Sequence, residues 1–242
     1  MQLKIYKDYP ELSANVADEI ISLIKRKPDA VICLASGDTP RLTCQVFAER
    51  AIKERIDTSK FTFIGLDEWV GISPVNEGSC RYFFETLLIK PLNLSGSQVH
   101  LFDALSKNLS EECRKMDKAI SEKGGIDLMI VGIGMNGHIG FNEPGVSFDN
   151  YAHVTDLDET TITVGQKYFK GSTELKQGIT LGLNHLMNSK KAIVIANAAK
   201  KAPVIKKAIE GTVSDLFPAT IIQQHANGCV MIDEEAASLL NK

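Results

Sequence analysis

The sequence predicts an α/β protein built on a doubly wound, mostly parallel open sheet with helices on both faces. Three observations carry this expectation. Short apolar runs rich in β-branched residues alternate along the chain with segments of helical periodicity. The runs are apolar at consecutive positions, the pattern of strands buried on both faces. No Pro/Ser-rich linker, repeat or low-complexity tract interrupts the alternation, so the 242 residues are read as a single domain, 1–242.

Taken in order, residues 3–6 read as a first strand, after which Leu12, Val16, Ile20, Ile21 and Ile24 recur at the spacing of a helix face. The run 30–34 reads as a buried strand. It leads into Ala35-Ser36-Gly37-Asp38-Thr39-Pro40, where Thr39 fits a helix N-cap and Pro40 the first helical position. The run 61–66 is a third strand, followed at once by Asp67, Glu68 and Trp69. The run 128–133 opens a long polar loop, Gly132 to Gly145, and 192–196 and 229–232 complete the expected sheet.

Lys plus Arg number 27 and Asp plus Glu 30, a net charge of −3 without long blocks of like charge, which argues against a nucleic-acid partner. The five cysteines, Cys33, Cys44, Cys80, Cys113 and Cys229, are odd in number and lack a C-x-x-C pair, as expected of reduced thiols. No apolar run approaches the roughly 18 to 20 residues of a spanning helix, and residues 1–10 hold no signal core. A cytoplasmic protein without a membrane partner is expected.

In open parallel sheets ligands bind beyond the carboxyl ends of strands, which directs attention to three junctions. In the first, small residues and Gly37 before a helix leave backbone N–H groups for an anion, and the helix dipole favours negative charge there. An ordinary capped turn explains the segment equally well, and it is not a nucleotide P-loop. In the second, Asp67 beside Trp69 is a candidate base of raised pKa, although Asp67 and Glu68 could also cap the next turn. The third matches G-x-G-x-x-G at Gly132, Gly134 and Gly137, with Asp156 roughly 20 residues beyond. A dinucleotide site would need a helix to begin within these glycines, whereas Phe141-Asn142-Glu143-Pro144-Gly145 reads as turn. The loop instead presents Asn136, His138 and Glu143 together. His138 suits acid–base chemistry near neutrality, while His100, His153, His185 and His225 are read as structural. Asp67, Glu68, His138 and Glu143 lack the spacing of a metal motif, so no metal is expected.

Together the three junctions resemble the glucosamine-6-phosphate deaminase/isomerase family, through Ser36-Gly37-Asp38-Thr39-Pro40, Leu66-Asp67-Glu68-Trp69-Val70 and Gly137-His138-Ile139-Gly140-Phe141-Asn142-Glu143-Pro144. The resemblance spans essentially the whole chain and implies a Rossmann-like fold of the glucosamine-6-phosphate deaminase type. It also implies Asp67 as the base moving a proton between C2 and C1 of an open-chain amino sugar, and His138, oriented by Glu143, as the group that opens the ring. Ser36, Gly37, Asp38 and Thr39 would hold the substrate phosphate, with Lys167 and Lys201 as cationic partners and no cofactor. Related 6-phosphogluconolactonases resemble different second and third loops. Asn136 stands where glucosamine-type enzymes carry Asp and is expected to accept a hydrogen bond from the imidazole. Lys167 stands where they carry Arg. The basic and serine residues of the family's allosteric site are not evident around 146–153, so no such regulation is expected.

Residues 27–35, Leu66 to Val70, Asn136-Gly137-His138 and 178–183 are most similar to the galactosamine-6-phosphate branch. The expected reaction is therefore galactosamine 6-phosphate to tagatose 6-phosphate and ammonia, with glucosamine 6-phosphate to fructose 6-phosphate as the alternative. A 6-phosphogluconolactonase and a non-catalytic sugar-phosphate sensor are further alternatives. The small-molecule substrate is the expected partner, and a homo-oligomer is compatible with the family.

Overall fold

In the computed structural model, which describes residues 1–241, the chain passes through β1 (Gln2–Tyr6), α1 (Tyr9–Arg26), β2 (Val31–Leu34), α2 (Asp38–Lys53), β3 (Thr62–Gly65), β4 (Asp67–Trp69), α3 (Cys80–Phe84), β5 (Val99–His100) and α4 (Leu109–Glu122). It continues through β6 (Leu128–Val131), β7 (His153–Asp156), α5 (Glu159–Gly165), β8 (Gln177–Thr180), α6 (Leu183–Asn188), β9 (Ala192–Ala196), α7 (Ala202–Glu210) and β10 (Gly228–Asp233). Seven strands form one sheet in the order β1-β10-β9-β6-β2-β3-β5. Every neighbouring pair is parallel.

Strand alternation explains why both faces are apolar. Ile32 and Leu34 of β2, with Ile130 and Ile193, pack under α1 and α2 through Val16, Ile20 and Phe47. Val31 and Cys33, with Met129 and Val194, face Met116 and Ile120 of α4 and Val204 and Ile205 of α7. The α1 stripe expected from the sequence is the buried one, and Asp8 caps that helix by accepting from the Glu11 N–H at 2.9 Å.

Two expectations are corrected. Helix α2 begins at Asp38 with Gly37 as its N-cap, ahead of the Thr39-Pro40 signal, because Gly37 holds φ 114, a conformation that favours glycine. The hydroxyl of Thr39 is engaged elsewhere, donating to Asn197 Oδ1 at 2.8 Å. Asp67 and Glu68 lie in no loop: with Trp69 they form β4, part of a separate antiparallel sheet in the order β4-β8-β7. Leu66 joins the two sheets. Its N–H donates to Leu34 O at 3.1 Å in the parallel sheet, and its carbonyl accepts from Leu181 N at 2.9 Å beyond the end of β8.

All five cysteines are free and buried. Among the described residues no helix is long and apolar enough to cross a membrane. After β2 the chain moves through β3 to β5, then returns to the other side of β2 as β6 and continues to β9 and β10. The switch point thus lies between β2 and β6, where a doubly wound sheet opens its crevice.

Candidate active site

The loops leaving β2, β6 and β9, together with β4 and α5, line one cavity of about 440 Å³ at the switch point. Ser36, Gly37, Asp38, Thr39, Asp67, Asn136, His138, Lys167 and Lys201 all face it. Glu143 stands behind His138 and is only 4% exposed.

One end of the cavity suits an anion. No side chain caps α2, so its first-turn N–H groups are left for a ligand. The Tyr168 hydroxyl lies 3.2 Å from where a Cβ on Gly37 would sit, so this close approach also favours glycine. Lys201 reaches from the start of α7 and donates to the Ile133 carbonyl. Burial, then the charges of Lys200 and Lys167, lower its pKa to about 8. Lys167 pairs with the Asp38 carboxylate at 2.6 Å and lies 4.8 Å from the Tyr168 ring centroid. The Asp38 carboxylate is therefore neutralised by Lys167, and the backbone of Asp38 is what it offers an anion.

Asp67 lines the same cavity. Burial, and then the neighbouring Glu68 charge, push its carboxyl up to about 7, against the opposing hydrogen bond of Cys80. Glu68 has the structural role: it accepts from the N–H groups of Trp69 at 2.9 Å, Cys80 at 2.9 Å and Arg81 at 2.8 Å, tying β4 to the start of α3. Two adjacent carboxylates thus separate by strand alternation into one facing the cavity and one fastening the scaffold.

The other end holds His138. Its Nδ1 lies 3.2 Å from Glu143 Oε2 and 2.9 Å from Thr161 Oγ1. The carboxylate assigns the proton to Nδ1, leaving Nε2 as the ring nitrogen for a ligand. Burial raises the Glu143 carboxyl, but bonds from His138, Thr161 and Asn136 outweigh it and hold the group below the usual range. The expected imidazole contact of Asn136 is not formed. Its amide donates to Glu143 Oε2 at 2.8 Å and its oxygen accepts from the His138 backbone N–H at 3.2 Å, so it braces the acid and the turn.

Three of the remaining histidines are engaged outside this cavity, His185 with Asp117 at 2.7 Å, His225 with the Ser189 carbonyl at 3.1 Å and His153 with the Tyr151 carbonyl at 2.9 Å, while His100 on β5 also lies outside it with a buried Nε2 that meets no partner among the described residues. Among the described residues no three His, Cys, Asp or Glu side chains converge as a metal-ligand set. Sequence reasoning missed Thr161, Tyr168, Cys80 and Asn197, each brought in by an element distant in the chain and without a motif of its own.

This geometry has known counterparts. A glucosamine-6-phosphate deaminase of Clostridium perfringens is 39% identical over 241 residues, covering 99% of this chain and 100% of the relative. One from Thermoanaerobacter pseudethanolicus is 38% identical over 241 residues, covering 99% and 95%. A solved monomeric glucosamine-6-phosphate deaminase matches with a TM-score of 0.95 at 33% identity, covering 99% of this chain and 100% of that one. A 6-phosphogluconolactonase from Trypanosoma brucei shares the fold, with a TM-score of 0.79 at 18% identity and coverage of 99% and 98%. The family model for glucosamine-6-phosphate isomerases and 6-phosphogluconolactonase matches residues 9–231, and the chain belongs to that family.

Proposed function

We propose that this protein deaminates and isomerises an amino-sugar 6-phosphate, with glucosamine 6-phosphate converted to fructose 6-phosphate and ammonia as the preferred reaction. The observation that carries the proposal is the placement of Asp67, poised to about 7, in one cavity with an anion cradle and the His138–Glu143 pair. The phosphate binds on the first turn of α2 and Lys201, with Lys167 closing over it. His138 Nε2 takes the proton of the anomeric hydroxyl and delivers it to the ring oxygen as the bond between C1 and that oxygen breaks, so the ring opens. Asp67 then takes the C2 proton, acidified by the adjacent aldehydic carbon, and returns it to C1. Loss of the C2 proton gives an enolamine and its return to C1 gives the ketimine, which water cleaves to the ketose and ammonia.

The choice of sugar moves from the expectation. Galactosamine 6-phosphate was favoured by segments such as Asn136-Gly137-His138, but the relatives at 38–39% identity are glucosamine-6-phosphate deaminases. The two substrates differ only in configuration at C4. Galactosamine 6-phosphate stays as the second reading because Asn136, the residue common to that branch, here braces Glu143. Ammonia release from both substrates, with hydrolysis of 6-phosphogluconolactone measured in parallel, tests the proposal. Faster turnover of glucosamine 6-phosphate is expected; ammonia from neither amino sugar would overturn the deaminase reading.

Two variants probe the ends of the cavity. Lys201→Met removes a cation and is expected to raise KM by about 10- to 100-fold, with a smaller effect on kcat. An unchanged KM would exclude Lys201 from phosphate binding. At the other end, a Cβ on Gly134 would lie 2.3 Å from His138 Nε2. Gly134→Ala is therefore expected to displace the imidazole and lower kcat by up to about 100-fold with KM little changed, as steady-state kinetics would show.

A further inference from the structure

Cys80 begins α3, lines the cavity and is 4% exposed. We propose that Cys80 is a positioning residue for the base: its thiol donates to Asp67 Oδ1 at 3.5 Å and holds that carboxylate in the orientation from which it takes the substrate proton. The proposal rests on the reading of Asp67 as the base.

The contact is built from both sides. The backbone N–H of Cys80 is anchored on Glu68 Oε1 at 2.9 Å and that of Arg81 on Glu68 Oε2 at 2.8 Å, so the residue after Asp67 fixes where the thiol stands. Ser79 caps the same turn by accepting from the Tyr82 N–H at 2.9 Å. On its far side the sulfur meets the hydroxyl of Ser36 in the anion cradle. Cys80 thus sits between the phosphate loop and the base. Among the described residues its thiol supplies the side-chain hydrogen bond on the Asp67 carboxylate.

A thiol is a weak donor, and its weakness matters. A carboxylate held by a strong donor would ionise readily but lose basicity; one with no donor would swing freely in the cavity. The other titratable groups facing Asp67 are Glu68 on its own strand, which disfavours its charge, and Cys33 on β2, whose thiol is kept protonated by burial and then by Asp67 itself. Thr180, paired with Asp67 across the small sheet, is neutral. His138, Lys167 and Lys201 share the cavity. Cys80 is the group that favours the ionised base from the α3 side.

The test is the acid limb of the kcat/KM–pH profile, measured with whichever amino-sugar 6-phosphate is turned over faster. Cys80→Ala is expected to move that limb to higher pH by about half a unit, so that activity falls about threefold more at pH 6 than at pH 8.5. Cys80→Val, which fills the space without a donor, is expected to shift it likewise. Cys80→Ser restores a donor and is expected to return the limb to the wild-type position or below. Ala and Val limbs that coincide with wild type would overturn the proposal, as would a Ser limb displaced with them. Asp67→Asn is run alongside. If it keeps turnover, the base reading fails and this one with it; if it is inactive while the Ala and Val limbs are unshifted, only the role of Cys80 fails.

Discussion

Asp67→Asn is expected to lower kcat by about three orders of magnitude while leaving the KM or the affinity for a phosphorylated inhibitor within a few fold. The amide keeps the shape of the side chain and loses only the ability to carry a proton between C2 and C1. Solvent deuterium incorporation at the transferred position should vanish with turnover, and normal exchange would remove Asp67 from this role. The same substitution has an opposite effect on stability. In the folded protein burial, and then Glu68, raise the Asp67 pKa from 3.8 to about 7, so the native state holds this proton more tightly than the unfolded chain. The stabilisation from the proton is complete below the unfolded value near 3.8 and is lost as pH rises through about 7. Asn is neutral throughout. Relative to wild type, the variant should therefore gain on the order of 2–3 kcal/mol between pH 5 and pH 8, visible as a growing difference in Tm. A base kept ready for proton transfer at neutral pH is in this sense a charge that the fold resists.

The second large effect is expected at the ring-opening end. His138→Gln should reduce kcat/KM by about 10²- to 10³-fold on the cyclic substrate, because no other group in the cavity pairs a free ring nitrogen with a buried carboxylate. Binding of an acyclic aminoalditol 6-phosphate, which has no ring to open, should change by less than about threefold. Equal losses on catalysis and on that binding would assign His138 to holding the ligand and not to opening the ring. Thr161 and Asn136 should give smaller losses, since neither supplies a ring nitrogen: Asn136 braces Glu143, and Thr161 touches both His138 Nδ1 and Glu143.

The parallel sheet was legible in the sequence because burial on both faces writes itself as uninterrupted apolar runs. Val31–Leu34, Leu128–Val131 and Ala192–Ala196 are buried at every position. The small antiparallel sheet was not. Its strand Asp67–Trp69 has three residues, and His153–Asp156 is half-buried along its length with Asp156 exposed, so neither carries a readable period. The start of α2 was misplaced because Thr39-Pro40 imitates a cap, while the deciding quantity, the positive φ of Gly37, belongs to the backbone. In the cavity, Asp67, His138 and Glu143 were singled out from their places after strands, whereas Lys167 and Lys201 came only from the family resemblance. Thr161 and Cys80 were not, since a hydroxyl or thiol acquires meaning only when folding sets it against His138 or Asp67. Asn136 was found, but its partner was assigned wrongly: the tight turn that presents His138 points the amide back at Glu143.

Leu66 carries a consequence for which sugars can react. This one residue bonds Leu34 on one side and Leu181 on the other, and its neighbours along the chain and across the sheet lead directly to the phosphate loop and to Asp67. The separation between the phosphate seat and the base is accordingly set by main-chain hydrogen bonds, with little side-chain slack. On the proposed roles the protein holds a rigid gauge of carbon-chain length: a phosphate-bearing carbon four carbon–carbon bonds from the amine-bearing carbon is measured against the backbone itself. An amino sugar phosphorylated one carbon short would seat its anion and present the wrong carbon to Asp67. On those roles, discrimination of chain length follows from the main-chain frame that joins the two sheets at Leu66.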